Sequence, residues 1–325
     1  MKRRTLAFLA AGIGLALAAP MGWAQSFPTK PVRIISPFSA GSGPDAAIRV
    51  VAERLSAKWN QSVVIDLRPG GSGFIAAGAA KQAAPTGYDL FLADVGHLAI
   101  NPSLFKNLPY DPKRDFVPVG GLLRTSFFVV VGANSPYHTV KDLIDDAAKS
   151  PGKITYGSPS VGGPPHLGAA QVEAASGTTM THIPFKETTQ LNTAVSTGDV
   201  DWTMGSPASS GSLLKAGKVR YLAVADDTRS ASMPDVPTLE EAGGPKGVHA
   251  RAWVALMAPK GTPADVIATL NQSLNEVLGQ PAVAEKFMGL GYVPFPTTPA
   301  ALASLLDSDT LVYAAMVKRT GASAD

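Results

Sequence analysis

Three short runs of glycine and hydroxyl residues carry most of the chemistry this chain can offer. The first is Pro37-Phe38-Ser39-Ala40-Gly41-Ser42-Gly43-Pro44-Asp45-Ala46, and the second is Arg68-Pro69-Gly70-Gly71-Ser72-Gly73. The third spans 158–163 and contains Ser158, Ser160, Gly162 and Gly163. Glycine lets a backbone approach a ligand closely. The first amides of a following helix lack helical acceptors and attract anions. Any one run by itself is better read as a tight turn between a strand and a helix. Three of them, each after a strand-like run, suit a carboxylate cradle, because open α/β sheets bind ligands beyond their strand C-termini. The candidate donors are the amides of 40–43 and 71–73 and the hydroxyls of Ser39, Ser72, Ser158 and Ser160. Asp45 suits the positive start of its own helix; meeting the ammonium of an amino-acid ligand is the other option.

Other chemistries fit the residues less well. His97, His138, His166, His182 and His249 are too widely spaced for an H-E-x-x-H type metal site. His97 and His166 each follow a candidate loop, where an imidazole can donate to a carboxylate or serve simply as a satisfied loop histidine. The run Gly70 to Phe74 breaks G-x-S-x-G at its last position, which removes the hydrolase reading. A dinucleotide site is the sharpest rival. Gly41-Ser42-Gly43-Pro44-Asp45-Ala46 matches G-x-G-x-x-A after a strand, and Asp66 stands near the expected ribose-binding position. Against it, Asp45 puts a carboxylate where pyrophosphate should sit. No catalytic residue, metal or cofactor is expected.

The elements that must position these loops follow from periodicity. Val32 to Ser36 reads as a strand, and 44–59 as a helix with Ile48, Val51, Ala52, Leu55 and Trp59 on one face. Strands follow at 63–67, 88–93 and 127–131, with 122–125 as a crossing segment beside the last. A second series alternates helices at 139–149, 166–176, 188–196 and 209–216 with strands at 154–156, 181–185, 200–204 and 219–225. Beyond a strand-like run at 252–258 the chain is mostly helical. This alternation predicts α/β lobes with mostly parallel sheets. A tail packing back onto the first lobe would make the chain cross twice between lobes and create a hinged cleft.

Composition narrows the setting. Charged residues are 16% of the chain and hydrophobic residues 45%, which excludes disorder. The absence of cysteine excludes disulfides and thiolate chemistry. Residues 1–24 read as an export signal: Lys2, Arg3 and Arg4 lead into the apolar stretch 6–19, and Gly22-Trp23-Ala24 suits cleavage after Ala24. The apolar stretch is short for a membrane span. The remaining chain holds 25 basic and 25 acidic residues, so no bulk charge favours nucleic acid or an anionic membrane. An export signal also directs the chain away from cytosolic nicotinamide cofactors.

Taken in order, many short motifs resemble one family, the extracytoplasmic solute receptors of tripartite tricarboxylate transporters, also called Bug-type binding proteins. The pieces include Lys30-Pro31-Val32-Arg33, Pro37-Phe38 with Gly41 to Asp45, Arg68-Pro69-Gly70 with Gly73, and Ala84-Pro85-Thr86-Gly87-Tyr88. Further along come Ala99-Ile100-Asn101-Pro102-Ser103-Leu104, Leu108-Pro109-Tyr110-Asp111-Pro112, Pro165-His166-Leu167 and Ile183-Pro184-Phe185-Lys186. Gly198-Asp199-Val200-Asp201, Pro234-Asp235-Val236-Pro237-Thr238 and 258–263 continue the series.

The resemblance implies a two-lobe periplasmic clamp similar to type II binding proteins, each lobe a mixed or parallel sheet flanked by helices. Lobe 1 would comprise 25–126 plus 247–325, and lobe 2 would comprise 127–246. The implied function is non-enzymatic capture of a small mono- or dicarboxylate, delivered by a monomeric receptor to a membrane permease, or alternatively to a signalling partner. The implied site joins the loop of Phe38, Ser39, Ala40, Gly41, Ser42, Gly43 and Asp45 to that of Gly71, Ser72 and Gly73. Asp94, Gly96 and His97 complete the first lobe's share. Ser158, Ser160, Gly162, Gly163, His166, Phe185, Lys186, Gly205 and Ser206 would line the second. The chain departs from the family pattern at Ser42, Pro44, Phe74 and Gly205, changes that remove polar partners and imply a ligand whose distal half is less polar, or is bound more by backbone and water.

Overall fold

The alternation of β-branched runs with helix-length segments produces two mixed sheets flanked by helices. The computed structural model describes residues 27–324 apart from Ser160, Lys186 and Ala231, so the expected export signal lies outside the described residues. The strands are β1 (Val32–Ser36), β2 (Val63–Leu67), β3 (Asp89–Asp94), β4 (Phe116–Ser126), β5 (Phe128–Gly132), β6 (Thr155–Ser158), β7 (Thr181–Pro184), β8 (Trp202–Gly205), β9 (Val219–Val224), β10 (Arg251–Pro259) and β11 (Val293–Pro294). The helices are α1 (Gly43–Trp59), α2 (Phe74–Lys81), α3 (Asn101–Leu104), α4 (Pro112–Asp115), α5 (Val140–Lys149), α6 (Pro164–Ser176), α7 (Thr188–Thr197), α8 (Pro207–Lys215), α9 (Ala264–Leu278), α10 (Pro281–Gly289) and α11 (Pro299–Thr320).

The first sheet has the order β11-β4-β10-β3-β1-β2, and the second has β7-β6-β8-β5-β9. The chain enters the second sheet between β4 and β5 and returns between β9 and β10. That route explains why the sheets are mixed, where sequence alone reads them as mostly parallel. β4 ends at the crossing and β10 starts from it, so the two must pair antiparallel, as they do from Arg251↔Ser126 to Pro259↔Phe116. By the same logic β5 leaves the crossing, β9 approaches it, and they pair antiparallel. The parallel pairs, β1 with β2 and β3, and β6 with β7 and β8, are those separated by helical crossovers.

At the crossing, three segments are stitched together by main-chain bonds. The Phe127 N–H donates to Ala250 O at 2.9 Å, Ala225 N–H to Phe127 O at 2.8 Å, and Ala250 N–H to Ala225 O at 3.0 Å. β4 is longer than the 122–125 segment read from sequence. Gly120 and Gly121 obscure its pattern, and they are there for packing: a Cβ on Gly121 would lie 2.3 Å from the Phe295 carbonyl. The pairing of β4 with β10 slips on either side of these glycines, as close backbone approach in a strand requires.

Each sheet buries its own core. Val32, Ile34, Leu90, Leu92 and Leu256 meet Ile48, Val51 and Leu55 of α1 and Leu270, Leu274 and Val277 of α9. In the second sheet Val129, Val131, Tyr156 and Trp202 meet Leu143, Ala169 and Val172. Helix α11 returns to the first sheet through Leu302, Leu306, Tyr313 and Val317. It is pinned there by Trp253 of β10, whose buried Nε1–H donates to Asp309 Oδ2 at 2.7 Å. Burial pushes the Asp309 carboxyl up, against the pull of the Trp253 bond and of Arg251 and His249.

Replacing Trp253 by Phe removes that donor and leaves a buried carboxylate short of a partner. The expected cost is about 2–3 kcal/mol in equilibrium denaturant unfolding; a loss under about 0.5 kcal/mol would show that the bond does not hold α11.

Candidate functional site at the strand ends

Parallel pairing gathers the candidate loops. β2, β1 and β3 lie side by side in parallel register, with Ser36↔Leu67 and Ile35↔Phe91 near their ends. The turns after β1, β2 and β3 therefore leave from the same edge of the first sheet. In the second sheet β7, β6 and β8 are likewise parallel neighbours, and Ser158, Phe185 and Ser206 emerge from one edge. The Phe185 N–H donates to Ser158 O at 2.9 Å, which ties two of these exits together.

In the first turn, Gly41 has φ +75° and donates its N–H to Asp45 Oδ2 at 2.8 Å. Asp45 is buried, and Arg49 Nε also donates to Oδ2 at 3.1 Å. Ser42 Oγ accepts the Asp45 N–H at 3.4 Å and caps α1. Asp45 thus closes its own loop and fills the place where a pyrophosphate would need room. Asp66, the other half of the dinucleotide pattern, is engaged by Arg33 and Arg68 at 3.4 and 3.0 Å. Two of the turn's amides are spent, on Gly41→Asp45 and on Ser42→Ser39 O at 3.1 Å. Those of Ala40 and Gly43 have no partner among the described residues. Gly43 is a glycine for another reason: a Cβ there would sit 2.2 Å from the Tyr292 hydroxyl.

The second turn is built from four consecutive residues with positive φ: Gly70 (+110°), Gly71 (+53°), Ser72 (+50°) and Gly73 (+87°). Ser72 is the costly member, because a left-handed side-chain residue stores about 1–2 kcal/mol. Asn101 helps to hold it, donating from Nδ2 to Ser72 O at 3.1 Å. Asn101 Nδ2 also donates to Tyr110 Oη at 3.1 Å, and Tyr110 donates onward to His97 O at 2.6 Å. Within the turn Gly73 N–H reaches Gly70 O at 3.0 Å. The amides of the exposed Gly71 and Ser72 have no partner among the described residues.

His97 joins these loops. A Cβ on Gly73 would lie 2.0 Å from its Cδ2 and 2.3 Å from its Nε2. Phe38 of the first turn meets the ring edge-on at 5.8 Å. On its far side Nδ1 lies 2.5 Å from Asp94 Oδ1, which also accepts the His97 N–H at 3.0 Å. Burial pushes the Asp94 carboxyl up, but the His97 charge, its ring and amide bonds and the Gly96 amide outweigh this and hold the group below its ordinary value. Asp94 thereby orients Nε2 towards the Gly70–Gly73 turn.

On the second sheet, Ser158 is buried with Oγ 2.8 Å from His182 Nε2. His166 Nδ1 accepts the Gly162 N–H at 2.9 Å. The two imidazoles stack at 3.9 Å, tilted by 17°. Burial, then the neighbouring His182, pushes His166 down to about 4, and burial also lowers His182. Gly163 caps α6. Gly205 is buried against Val130 and Ser210, and the Ser206 main chain is taken up by Ser209 and Ser210. Phe74 packs edge-on against Phe105 and Tyr110 at 4.8 and 6.1 Å, in the first lobe's own core. Ser160 and Lys186 lie outside the described residues.

Besides the packing of α6 on α11 through Leu167 and the Ser126–Asp226 bond at 3.0 Å, two close glycine contacts bridge the lobes. A Cβ on Gly162 would meet Leu104 at 2.4 Å, and one on Gly291 would meet Ala208 at 2.6 Å. Leu104, Asn101, Tyr110, Tyr292 and His182 are the contributors that residue-type reasoning passes over. Asn101 and Tyr110 stood in quoted motifs, whereas nothing in the sequence marks Tyr292. Away from these loops, Asp226, Asp227 and His249 can bring ligand atoms within 4.8 Å of one another, with Arg251 3.9 Å from Asp226.

Comparison with known proteins bears on the family and the fold. Residues 47–321 match the family model described as tripartite tricarboxylate transporter family receptor. A UPF0065 protein of Bordetella bronchiseptica is 34% identical over 288 residues, covering 89% of this chain and 84% of that protein. Among solved structures, R. palustris Rpa4515 with adipate is 30% identical with a TM-score of 0.77, covering 91% of this chain and 98% of that one. MatC (Rpa3494) from Rhodopseudomonas palustris with bound malate is 26% identical with a TM-score of 0.72, covering 90% and 100%.

Two outcomes follow for stability. Gly73→Ala combines a φ of +87° with a clash on His97, so unfolding experiments should show a loss of at least about 1–2 kcal/mol; a neutral result would mean His97 does not pack on the turn. The lowered His166 and His182 mean that the unfolded chain binds more protons than the native one below the ordinary histidine value. Stability should therefore fall as pH drops from about 6.5 towards 4, by up to roughly 1.4 kcal/mol per pH unit per group. His166→Asn should flatten that limb in denaturant titrations at successive pH values; an unchanged slope would contradict it.

Proposed function

We propose that this chain, which belongs to the tripartite tricarboxylate transporter receptor family, captures a small mono- or dicarboxylate between its two lobes and hands it to a membrane permease. The observation that carries the reading is the set of amides at Ala40, Gly43, Gly71 and Ser72, without acceptors among the described residues and gathered at one edge of the first sheet. An ionised carboxylate accepts several charge-assisted hydrogen bonds and satisfies such donors better than a neutral group does. His97 Nε2, oriented by Asp94, faces the same side and is a donor there when both ring nitrogens carry protons. The adipate and malate in the two similar R. palustris proteins support organic acids as the ligand class.

In this reading the first lobe anchors one carboxylate, and closure brings up the edge that carries Ser158, Phe185 and Ser206. The ligand favours the closed form because only that form contacts it from both lobes. Lobe 1 comprises 25–126 plus 247–325 and lobe 2 comprises 127–246. The leader is cut after Ala24, and the protein acts in the periplasm as a monomer without turnover chemistry.

A thermal-shift screen of mono- and dicarboxylates on ligand-stripped protein tests the proposal. The cognate acid, at a hundredfold above its Kd, should raise Tm by roughly 5 °C. A rise with sugars or metal ions and none with any carboxylate would overturn it.

A further inference from the structure

The stacked histidines of the second lobe sit directly behind its ligand loop and bond to it at two points. His182 Nε2 lies 2.8 Å from Ser158 Oγ, and His166 Nδ1 accepts the Gly162 N–H at 2.9 Å. We infer that His166 and His182 are positioning residues: as an unprotonated stacked pair they brace the loop at Ser158 and Gly162, and acid releases it. The functional half of this inference rests on the carboxylate-receptor reading above; the brace itself does not.

The argument is one of donor and acceptor counting. A neutral imidazole has one acceptor nitrogen, and on His166 that nitrogen is Nδ1, facing the Gly162 amide. Protonation turns Nδ1 into a donor that points at a donor, so the bond must break. The contact between His182 and Ser158 has no such sensitivity, since the hydroxyl can turn and serve as donor or acceptor. His182 contributes through stacking: with ring centres 3.9 Å apart, two imidazolium charges repel, so the pair resists taking up a second proton.

The surroundings offer little to hold an imidazolium. A cavity of about 570 Å³ opens beside the pair, faced by Tyr156 of β6, Glu173 of α6 and Arg319 near the end of α11. Among the described residues lining it Glu173 is the carboxylate, and it is already committed, accepting the Met180 N–H at 2.7 Å and a bond from Tyr156. Arg319 adds a charge of the wrong sign. Tyr156 contributes its ring, centred 5.0 Å from His182 and 6.3 Å from His166.

The brace also connects to closure. Gly162, with φ +77°, is the residue that meets Leu104 of the other lobe. Losing its amide bond loosens the loop at one of the points where the lobes touch.

The decisive measurement is the backbone amide of Gly162 by NMR, in ligand-free protein taken from pH 7.5 to 4. It should shift and lose protection from solvent exchange in step with the His166 ring, before amides of β5 and β8 do. In His166→Asn, whose carboxamide oxygen can accept the same N–H but cannot be protonated, it should stay still. In His182→Gln, which keeps a partner for Ser158 but removes the second titrating ring, the transition should move up in pH. A Gly162 amide that ignores pH, that moves equally in His166→Asn, or that loses protection only with the whole chain overturns the brace. Adipate and malate binding at pH 7.5 and 4 supplies the functional arm, with His166→Asn controlling for protonation of the acids. Wild type should weaken about two- to fivefold more than the variant on acidification. An equal loss in both removes the link to binding, and failure of either acid to bind at pH 7.5 counts against those two ligands while the Gly162 amide still decides the brace.

Discussion

Backbone N–H groups are obligatory donors, and a loop that does not spend them internally must offer them to something else. In the first lobe the Gly70–Gly73 turn runs through four positive-φ residues, a path that keeps Gly73 engaged with Gly70 while leaving Gly71 and Ser72 outward. The first turn divides its amides in the same way, since Asp45 takes Gly41 and Ser39 takes Ser42. The remainder is a short array of main-chain donors. Such an array favours an anion through many modest bonds and tolerates variation in whatever lies beyond the carboxylate.

Keeping such donors exposed costs conformational energy, and buried contacts supply it. Asn101 and Tyr110 link Ser72 O to His97 O in one chain of hydrogen bonds. His97 in turn fills the space that Gly73 leaves and touches Phe38. The loops of β1, β2 and β3 are therefore one mechanical unit, and Asp94 sets the ring that joins them. The second lobe uses a different device: its loop is held from behind by an aromatic stack of Tyr156, His182 and His166. One lobe is held by a charge-assisted pair, and the other by rings whose neutrality is enforced by burial.

The crossing between the sheets joins the elements that carry these two edges. Three main-chain segments bond side by side at Phe127, Ala225 and Ala250, and beside them α6 packs on α11, with Leu167 buried among Tyr313 and Val317. Further contacts lie elsewhere, where Gly162 meets Leu104 and Gly291 meets Ala208. The main-chain ribbon itself has few side chains to repack, whereas those glycine contacts admit no added methyl group. This suits a receptor that must close around a guest and then let it go.

Much of this was legible from residue order. Period-2 and period-3.6 patterns located β1, α1, β5 and α5 within a residue or two, because each buries one face against a core. The positive-φ turns announced themselves as glycine, and the ordered motifs led to the family. The tertiary structure alone decided what each glycine is for. Gly43 makes room for Tyr292, Gly121 for Phe295 and Gly73 for His97, across separations the chain does not encode locally. It also turned Phe74 away into the core with Phe105, and made His182, a strand residue with no motif of its own, the partner of both Ser158 and His166. The reason is excluded volume: local sequence restricts φ and ψ, but which side chain occupies the space a glycine leaves is set by elements that meet only after folding.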